Sequence, residues 1–261
     1  LEYPLISTCF LWQCATMQSP SGGVKDINAP GILSIKPAQG ATNVQTRTIE
    51  VQFDEYIKLN NLQGELLISP PLENKPLISQ KGKNLFIEIL EDLKEDNTYT
   101  FNFGNGIADF HEGNVLKDFI LVFSTGKELD SLAISGKLRT CLTNKTPENI
   151  IVGAYKSDSL KRDSIIYLQK PNYFGLVNEK GEYKIEHIKA GKYELIAFED
   201  VNKNYLYDGA AEQIAFSDSL ITISDSTKVD LWLFKEKDEI KLLDVSARDN
   251  GRIHWLYNQE I

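Results

Sequence analysis

From residue 31 onward, short runs of alternating apolar and polar residues are separated by turn formers, and a helical repeat is never sustained. Thr48, Ile49, Glu50, Val51, Gln52 and Phe53 put an apolar side chain at every second position, which is the period of a strand with one buried face. Further strands are predicted at residues 66–68, 85–89, 99–103 and 119–123. Between them stand Pro37 with Gly40, Pro70 with Pro71, Gly82 between two lysines, Asp96 with Asn97, and Glu112-Gly113-Asn114. Many short strands spaced by turns predict an immunoglobulin-like sandwich over residues 31–126.

A second series follows, with strands predicted at 133–138, 150–155, 173–177, 183–185, 193–198, 220–223 and 229–234. Asn178-Glu179-Lys180-Gly181 reads as a hairpin turn with Gly181 in the left-handed position. The series predicts a second sandwich over residues 127–235. Residues 236–261 open on a charged run and then resume strand patterning at 240–245 and 252–255, as the start of a further, truncated domain would.

The first residues change the picture. Residues 1–14 are apolar and nearly uncharged, with the length of a signal-peptide core rather than of a membrane span. Residues 15–30 are polar and rich in Ser, Pro and Gly, as a flexible linker is. An apolar core, a cysteine and a tether follow the logic of a bacterial lipoprotein, with Cys14 as the lipidated residue and a partial signal peptide before it. Cys9, preceded by Ile6-Ser7-Thr8, is the competing position, because small residues usually precede a lipidated cysteine. The expected fold class is therefore all-β, with two tandem Ig-like or prealbumin-like β-sandwiches after a lipoprotein-type tether.

Composition sets limits on function. Hydrophobic residues make up 42% and charged residues 25%, an ordinary globular balance. A net charge of −9 supplies no basic stripe for phosphates, so nucleic acid is not an expected partner. Three cysteines, Cys9, Cys14 and Cys141, form neither a disulfide framework nor a zinc pair. The sequence carries no Walker A, GxGxxG, GxSxG or HExxH motif, and no catalytic residue is assigned.

Three stretches carry a family resemblance. Lys36-Pro37-Ala38-Gln39-Gly40-Ala41-Thr42-Asn43-Val44, with Ile49-Glu50-Val51-Gln52-Phe53-Asp54-Glu55 after it, resembles the opening of SbsA-type bacterial Ig-like domains. Cys14-Ala15-Thr16-Met17-Gln18-Ser19-Pro20-Ser21-Gly22-Gly23 resembles the mature start of envelope lipoproteins that carry this domain, and that spacing favours Cys14 over Cys9. Ile134-Ser135-Gly136-Lys137, the turn ending at Tyr183, and Ile188-Lys189-Ala190-Gly191-Lys192-Tyr193 resemble the carboxypeptidase-regulatory-like, prealbumin-like sandwiches. The resemblance implies a structural or adhesive role on a bacterial envelope, outer membrane included, with no chemistry of its own.

One motif points to a ligand. Asp200, Asn202, Asn204 and Asp208 place side-chain oxygens at relative positions 1, 3, 5 and 9, and the Leu206 carbonyl falls at position 7. That is the oxygen spacing of a calcium loop. Tyr205 stands where such loops carry glycine, and Glu212 lies one place beyond the usual bidentate carboxylate. No cofactor is certain from the sequence, and calcium is the one candidate, with an affinity of about 10⁻⁴ to 10⁻³ M if the loop holds it. The competing reading is an Asx-rich turn whose side chains bond their own backbone. Asp54, Glu55, Asp109, His111 and Glu112 lie near strand ends, where a carboxylate pair for glycoside hydrolysis competes with plain solvation. Tyr173, Phe174, Tyr205 and Tyr207 are either a sugar-stacking platform or core.

The expected function is a non-catalytic envelope lipoprotein, held to the membrane through its lipid and meeting other envelope proteins or surface glycans. The alternatives are a glycan- or peptide-binding module, or the accessory part of a larger surface enzyme.

Overall fold

The computed structural model describes residues 25–140, 149–157, 164–209, 212–235, 241–248 and 252–257. Cys9, Cys14 and Cys141 lie outside the described residues, as do 236–240 and 258–261. The protein is all-β, with two one-turn helices among the described residues.

The first unit contains β1 (Ile32–Lys36), β2 (Thr48–Phe53), β3 (Ile57–Leu59), α1 (Leu62–Glu65), β4 (Leu67–Ser69), β5 (Leu77–Lys81), β6 (Asn84–Glu88), β7 (Thr98–Asn102), β8 (Ile107–Asp109) and β9 (Ile120–Ser124). One sheet runs β1-β2-β6-β5 and a second runs β4-β7-β9, while β3 and β8 pair at one end. The period-two pattern of β2 does what it predicts. Ile49, Val51 and Phe53 are buried, and the polar residues between them face outward. They meet Leu85 and Ile87 of β6 and the inward faces of β7 and β9 in one core. Aromatic rings fill its centre, with Phe101 and Phe123 5.6 Å apart and Phe103 and Phe119 4.4 Å apart.

The second unit contains β10 (Leu132–Thr140), β11 (Ile150–Lys156), α2 (Ile165–Leu168), β12 (Tyr173–Leu176), β13 (Glu182–Ile188), β14 (Gly191–Glu199), β15 (Gln213–Phe216), β16 (Ile221–Ile223), β17 (Thr227–Lys228) and β18 (Leu231–Lys235). The strand path is β12-β11-β14-β15-β18-β10-β13. Its two end strands are also consecutive in sequence, joined by the Asn178–Gly181 turn and a bridge from Val177 to Tyr183. The sheet therefore curls until its ends meet around a core that includes Ile134, Val152, Ile185, Leu195 and Leu231. Two glycines permit the closure. A Cβ at Gly136 would lie 1.6 Å from the Val229 carbonyl oxygen, and one at Gly175 would lie 2.3 Å from that of Lys184.

β11 and β14 differ from simple alternation because both of their faces are covered. Ile150, Val152 and Ala154 face the curled core, while Ile151 and Tyr155 join a second cluster with Ile196, Phe198 and Ile214. What covers that second face is α2 and the loop after β14, through Ile165, Ile166 and Tyr207. Beyond the second unit, β19 (Leu242–Arg248) and β20 (Arg252–Tyr257) form a two-stranded hairpin.

The two units touch at both ends of their junction. Near the connecting segment, His187 Nδ1 lies 2.8 Å from the Asp130 carbonyl oxygen, and Lys189 meets Asp96 at 2.7 Å. At the other end, Lys170 Nζ donates to the Leu72 carbonyl at 2.8 Å, and Phe174 N–H donates to Ser69 Oγ at 3.3 Å.

Candidate functional site

The loop that follows β14 is built around Asp200. Its carboxylate, buried at 3% exposure, accepts the N–H groups of Asn204 at 3.0 Å and Tyr205 at 3.1 Å. Asn202 Oδ1 accepts the Asn204 N–H at 3.1 Å, and Asn204 Oδ1 accepts that of Leu206 at 2.7 Å. The two amide groups turn their nitrogens toward Asp208: Asn202 Nδ2 donates to Asp208 Oδ2, and Asn204 Nδ2 approaches it at 3.3 Å. Glu212, itself buried, accepts the Asp208 N–H at 2.9 Å. The structure thus gathers Asp200, Asn202, Asn204, Asp208 and Glu212 around one turn, with Leu206 inside it.

The backbone of this turn is unusual. Lys203 and Tyr205 sit at φ of 58° and 64°, in the left-handed region that L-residues seldom occupy. Tyr205 therefore takes the conformation for which a calcium loop normally uses glycine. Its ring packs 4.8 Å from Phe174, and burial pushes its phenol pKa up to about 12, with Asp200 adding to the rise. Tyr207 anchors the end of the turn: it is 2% exposed, its N–H donates to the Ile166 carbonyl at 3.0 Å, and its ring lies between Phe198 and Tyr167.

The electrostatics are unbalanced. Burial raises the pKa of Asp200 more than its backbone donors lower it, and Asp208 raises it further. Burial likewise raises that of Glu212, with Asp208 and Asp200 contributing. The lysine within the loop, Lys203, turns away and donates to the Gly64 carbonyl at 3.0 Å. Beneath the loop, Tyr155 is 1% exposed and its Oη has no hydrogen-bond partner. Burial raises its pKa strongly, and Asp200 adds to that. The oxygens of Asp200, Asn202 and Asn204 accept the loop's own backbone N–H groups, which is the bonding of an Asx-rich turn. The described residues hold no cluster of three or more His, Cys, Asp or Glu side chains poised around one point.

The other acidic residues have a different fate. Asp54, Glu55, Asp109 and Glu112 gather at the β3–β8 end of the first unit. Burial and then the charges of Asp109, Asp54, Asp26 and Glu112 raise the pKa of Glu55. Asp109 accepts the N–H groups of Glu112, Gly113 and Asn114, and Asp54 accepts that of Gly31 at 2.8 Å. The oxygens of Asp109 and Asp54 thus hold backbone. Of the four aromatic residues, Tyr173 and Tyr207 are buried in the two clusters of the second unit, and Phe174, also buried, packs on Tyr205. Tyr155 and Lys203 were missed by sequence reasoning. A single tyrosine ending the apolar run of β11 was the available signal for the first.

Between the units lies a cleft of about 760 Å³. One wall carries Ser69, Thr100 and Asn102, and the other carries the Lys137–Glu182 and Arg139–Asp230 ion pairs. No described helix is long and apolar enough to cross a membrane.

Residues 26–125 match the bacterial Ig-like domain family. No curated protein matches the chain in sequence. Among solved structures, the chain is similar to an L,D-transpeptidase from Mycobacterium smegmatis at 12% identity and TM-score 0.27, covering 49% of this chain and 55% of that one. It is similar to the N-terminal part of the bacterial S-layer protein SbsC at 13% identity and TM-score 0.27, covering 76% of this chain and 45% of that one. It is also similar to BcpA, the major pilin subunit of Bacillus cereus, at 10% identity and TM-score 0.25, covering 79% and 71% of the two chains. The chain thus spans about half the length of the transpeptidase and less than half of the SbsC fragment. None of these similarities carries an activity or a partner across, whereas the Ig-like match fixes the kind of domain with which the described chain begins.

Proposed function

We propose that the chain is a non-catalytic module of a bacterial cell surface, a structural or adhesive protein anchored in the envelope, outer membrane included, by a lipid on Cys14. The observation that carries the reading is the bacterial Ig-like domain at residues 26–125, followed at once by a second β-unit docked against it. It is supported by the use of Asp54 and Asp109 as backbone acceptors. Calcium held by Asp200, Asn202, Asn204, the Leu206 carbonyl, Asp208 and Glu212 stiffens the second unit. Labelled palmitate should enter the full-length protein and be lost in Cys14→Ala but kept in Cys9→Ala. No incorporation at all removes the anchor. Deleting the gene should alter surface adhesion or envelope assembly, while hydrolase screens of the purified protein stay blank. A hydrolytic turnover in those screens contradicts the non-catalytic reading.

The interdomain cleft favours a second reading, a glycan- or peptide-binding module, because ligand sites favour domain junctions and volumes of this order. Glycan and peptide arrays with no signal at millimolar affinity would remove it.

A further inference from the structure

We propose that the outer face of the second unit carries an oligosaccharide-binding platform, on which sugar rings stack against Trp232, Phe216 and Phe234 and their hydroxyl groups meet Arg139 and Asp230. The proposal gives the binding-module reading above a ligand class and a place of contact, and as to class it rests on that reading.

The platform follows from how this sheet is covered. Leu231 and Leu233 of β18 point into the curled core. Trp232 and Phe234, which alternate with them, therefore belong to the opposite face. On that face Phe198 and Ile214 are buried in one cluster with Ile165 and Ile166 of α2. The cover stops short at its edge. Phe234 is half-buried against the cluster, whereas Phe216 is 51% exposed and Trp232 is 55% exposed. In the antiparallel register Ile214 stands opposite Phe234, which carries Phe216 to the level of Trp232 on the next strand. On the other side β10 runs parallel to β18 and sets Arg139 beside Trp232. Phe216, Trp232 and Arg139 thus form a row across β15, β18 and β10, roughly 10 Å long at the usual strand spacing, with Phe234 next to it.

The chemistry of the row selects its ligand. The rings of Phe216 and Phe234 lie 5.6 Å apart at 87°, edge to face. The Arg139 guanidinium lies 5.5 Å from the centre of the Trp232 ring. Each ring is held by a neighbour before any ligand arrives, which lowers the ordering cost of binding. The C–H face of a sugar ring matches an aromatic face, and its hydroxyl groups need donors and acceptors at the edge. Arg139 and Asp230 supply both. They approach each other at 3.7 Å, each is about half exposed, and Asp230 also accepts the Lys137 N–H at 2.9 Å. The area argues against a protein partner. Three part-exposed rings offer roughly 300 Å² of apolar surface, whereas a stable protein interface takes about 800 Å² from each partner. A short oligosaccharide covers the smaller area. Arg139 and Asp230 also line the interdomain cleft, so a longer sugar chain stacked on Trp232 runs on into it.

The test uses the full chain and four soluble probes, the hexaoses of cellulose, chitin, starch and mannan. Calorimetry reads affinity, and the indole N–H resonance of Trp232, assigned from its loss in Trp232→Phe, reads contact. At least one hexaose should bind and shift that resonance. Trp232→Ala should weaken binding about tenfold or more, and Phe216→Ala by a smaller factor. Trp232→Tyr should restore most of the affinity, which separates stacking from folding. Ile120→Arg puts a bulky charge into the cleft and should leave the resonance shift in place. Binding lost in Ile120→Arg but kept in Trp232→Ala and Phe216→Ala moves the ligand into the cleft, which overturns the platform and keeps the binding-module reading. No binding of any hexaose overturns the platform together with the glycan form of that reading. Self-association of the chain that Trp232→Glu abolishes, with no hexaose bound, marks the face as an interface between copies and likewise overturns the platform.

Discussion

Two loops in this protein solve the same problem in opposite ways. In the first unit Asp109, 1% exposed, accepts three backbone N–H groups at 2.6, 2.9 and 2.8 Å, and the left-handed position is given to Gly113. In the second unit Asp200, 3% exposed, accepts two N–H groups at 3.0 and 3.1 Å, and the left-handed positions fall on Lys203 and Tyr205. Burial pushes the pKa of both carboxylates up. At Asp109 the donors from Gly113, Asn114 and Glu112 outweigh burial and the pKa falls below its ordinary value. At Asp200 burial wins, Asp208 adds to it, and the pKa rises. The first loop is complete in itself. The second is folded with its charge unbalanced and its backbone in costly conformations, which is the pattern of a loop that relies on something added or on a neighbouring domain.

The largest effect that could break this contrast is at Tyr207. The ring fills the second cluster of the second unit, so Tyr207→Ala should cost about 3–5 kcal/mol in denaturant unfolding. A cost below about 1 kcal/mol would mean the loop does not cap that face. Next comes Asp109→Ala, which strips the acceptor from three buried N–H groups and should lower the melting temperature by several degrees, with Asp109→Asn intermediate. The pH dependence has a definite sign. Because the folded pKa of Asp109 is depressed, the stability it contributes is present above its unfolded value of about 3.9 and is lost as pH falls through the folded value. Asp109→Asn should therefore flatten the acid limb of the stability curve, and an unchanged limb would show that the carboxylate is not holding the loop. Smaller again is the exchange of backbone roles. Gly113→Ala forces an L-residue to φ 83° and should cost about 1–2 kcal/mol. Lys203→Asn places a residue that tolerates this region and should change thermal stability by less than about 0.5 kcal/mol. Equal costs at the two sites would erase the distinction between the loops.

Much of the fold was legible because alternation and turn residues are local signals. β2 alternates and is buried accordingly, and Gly181 takes φ 73° in the predicted hairpin turn. Strands of three residues such as β3 and β8 are too short to show a period. The buried run of β14 does not show which of its faces is covered by a loop and which by the core. In the candidate site, the oxygen spacing from Asp200 to Asp208 was legible, since it lies in one stretch of chain. The left-handed backbone at Tyr205 was not, because no local rule places tyrosine there. Nor was the orphaned phenol of Tyr155, or the reach of Lys203 to Gly64, because both depend on chain segments distant in sequence.

The proposed calcium would act on the second of these loops. With an affinity of about 10⁻⁴ to 10⁻³ M, about 10 mM calcium should stabilise the second loop by about 1.4–2.7 kcal/mol. The direct measurement is residue-resolved amide hydrogen exchange with calcium and with EDTA. The account predicts that the Asn204 and Tyr205 amides gain protection in calcium while those of Gly113 and Asn114 stay as they are. Equal protection of Asn204 and Tyr205 in both conditions, or a parallel gain in both loops, would contradict it.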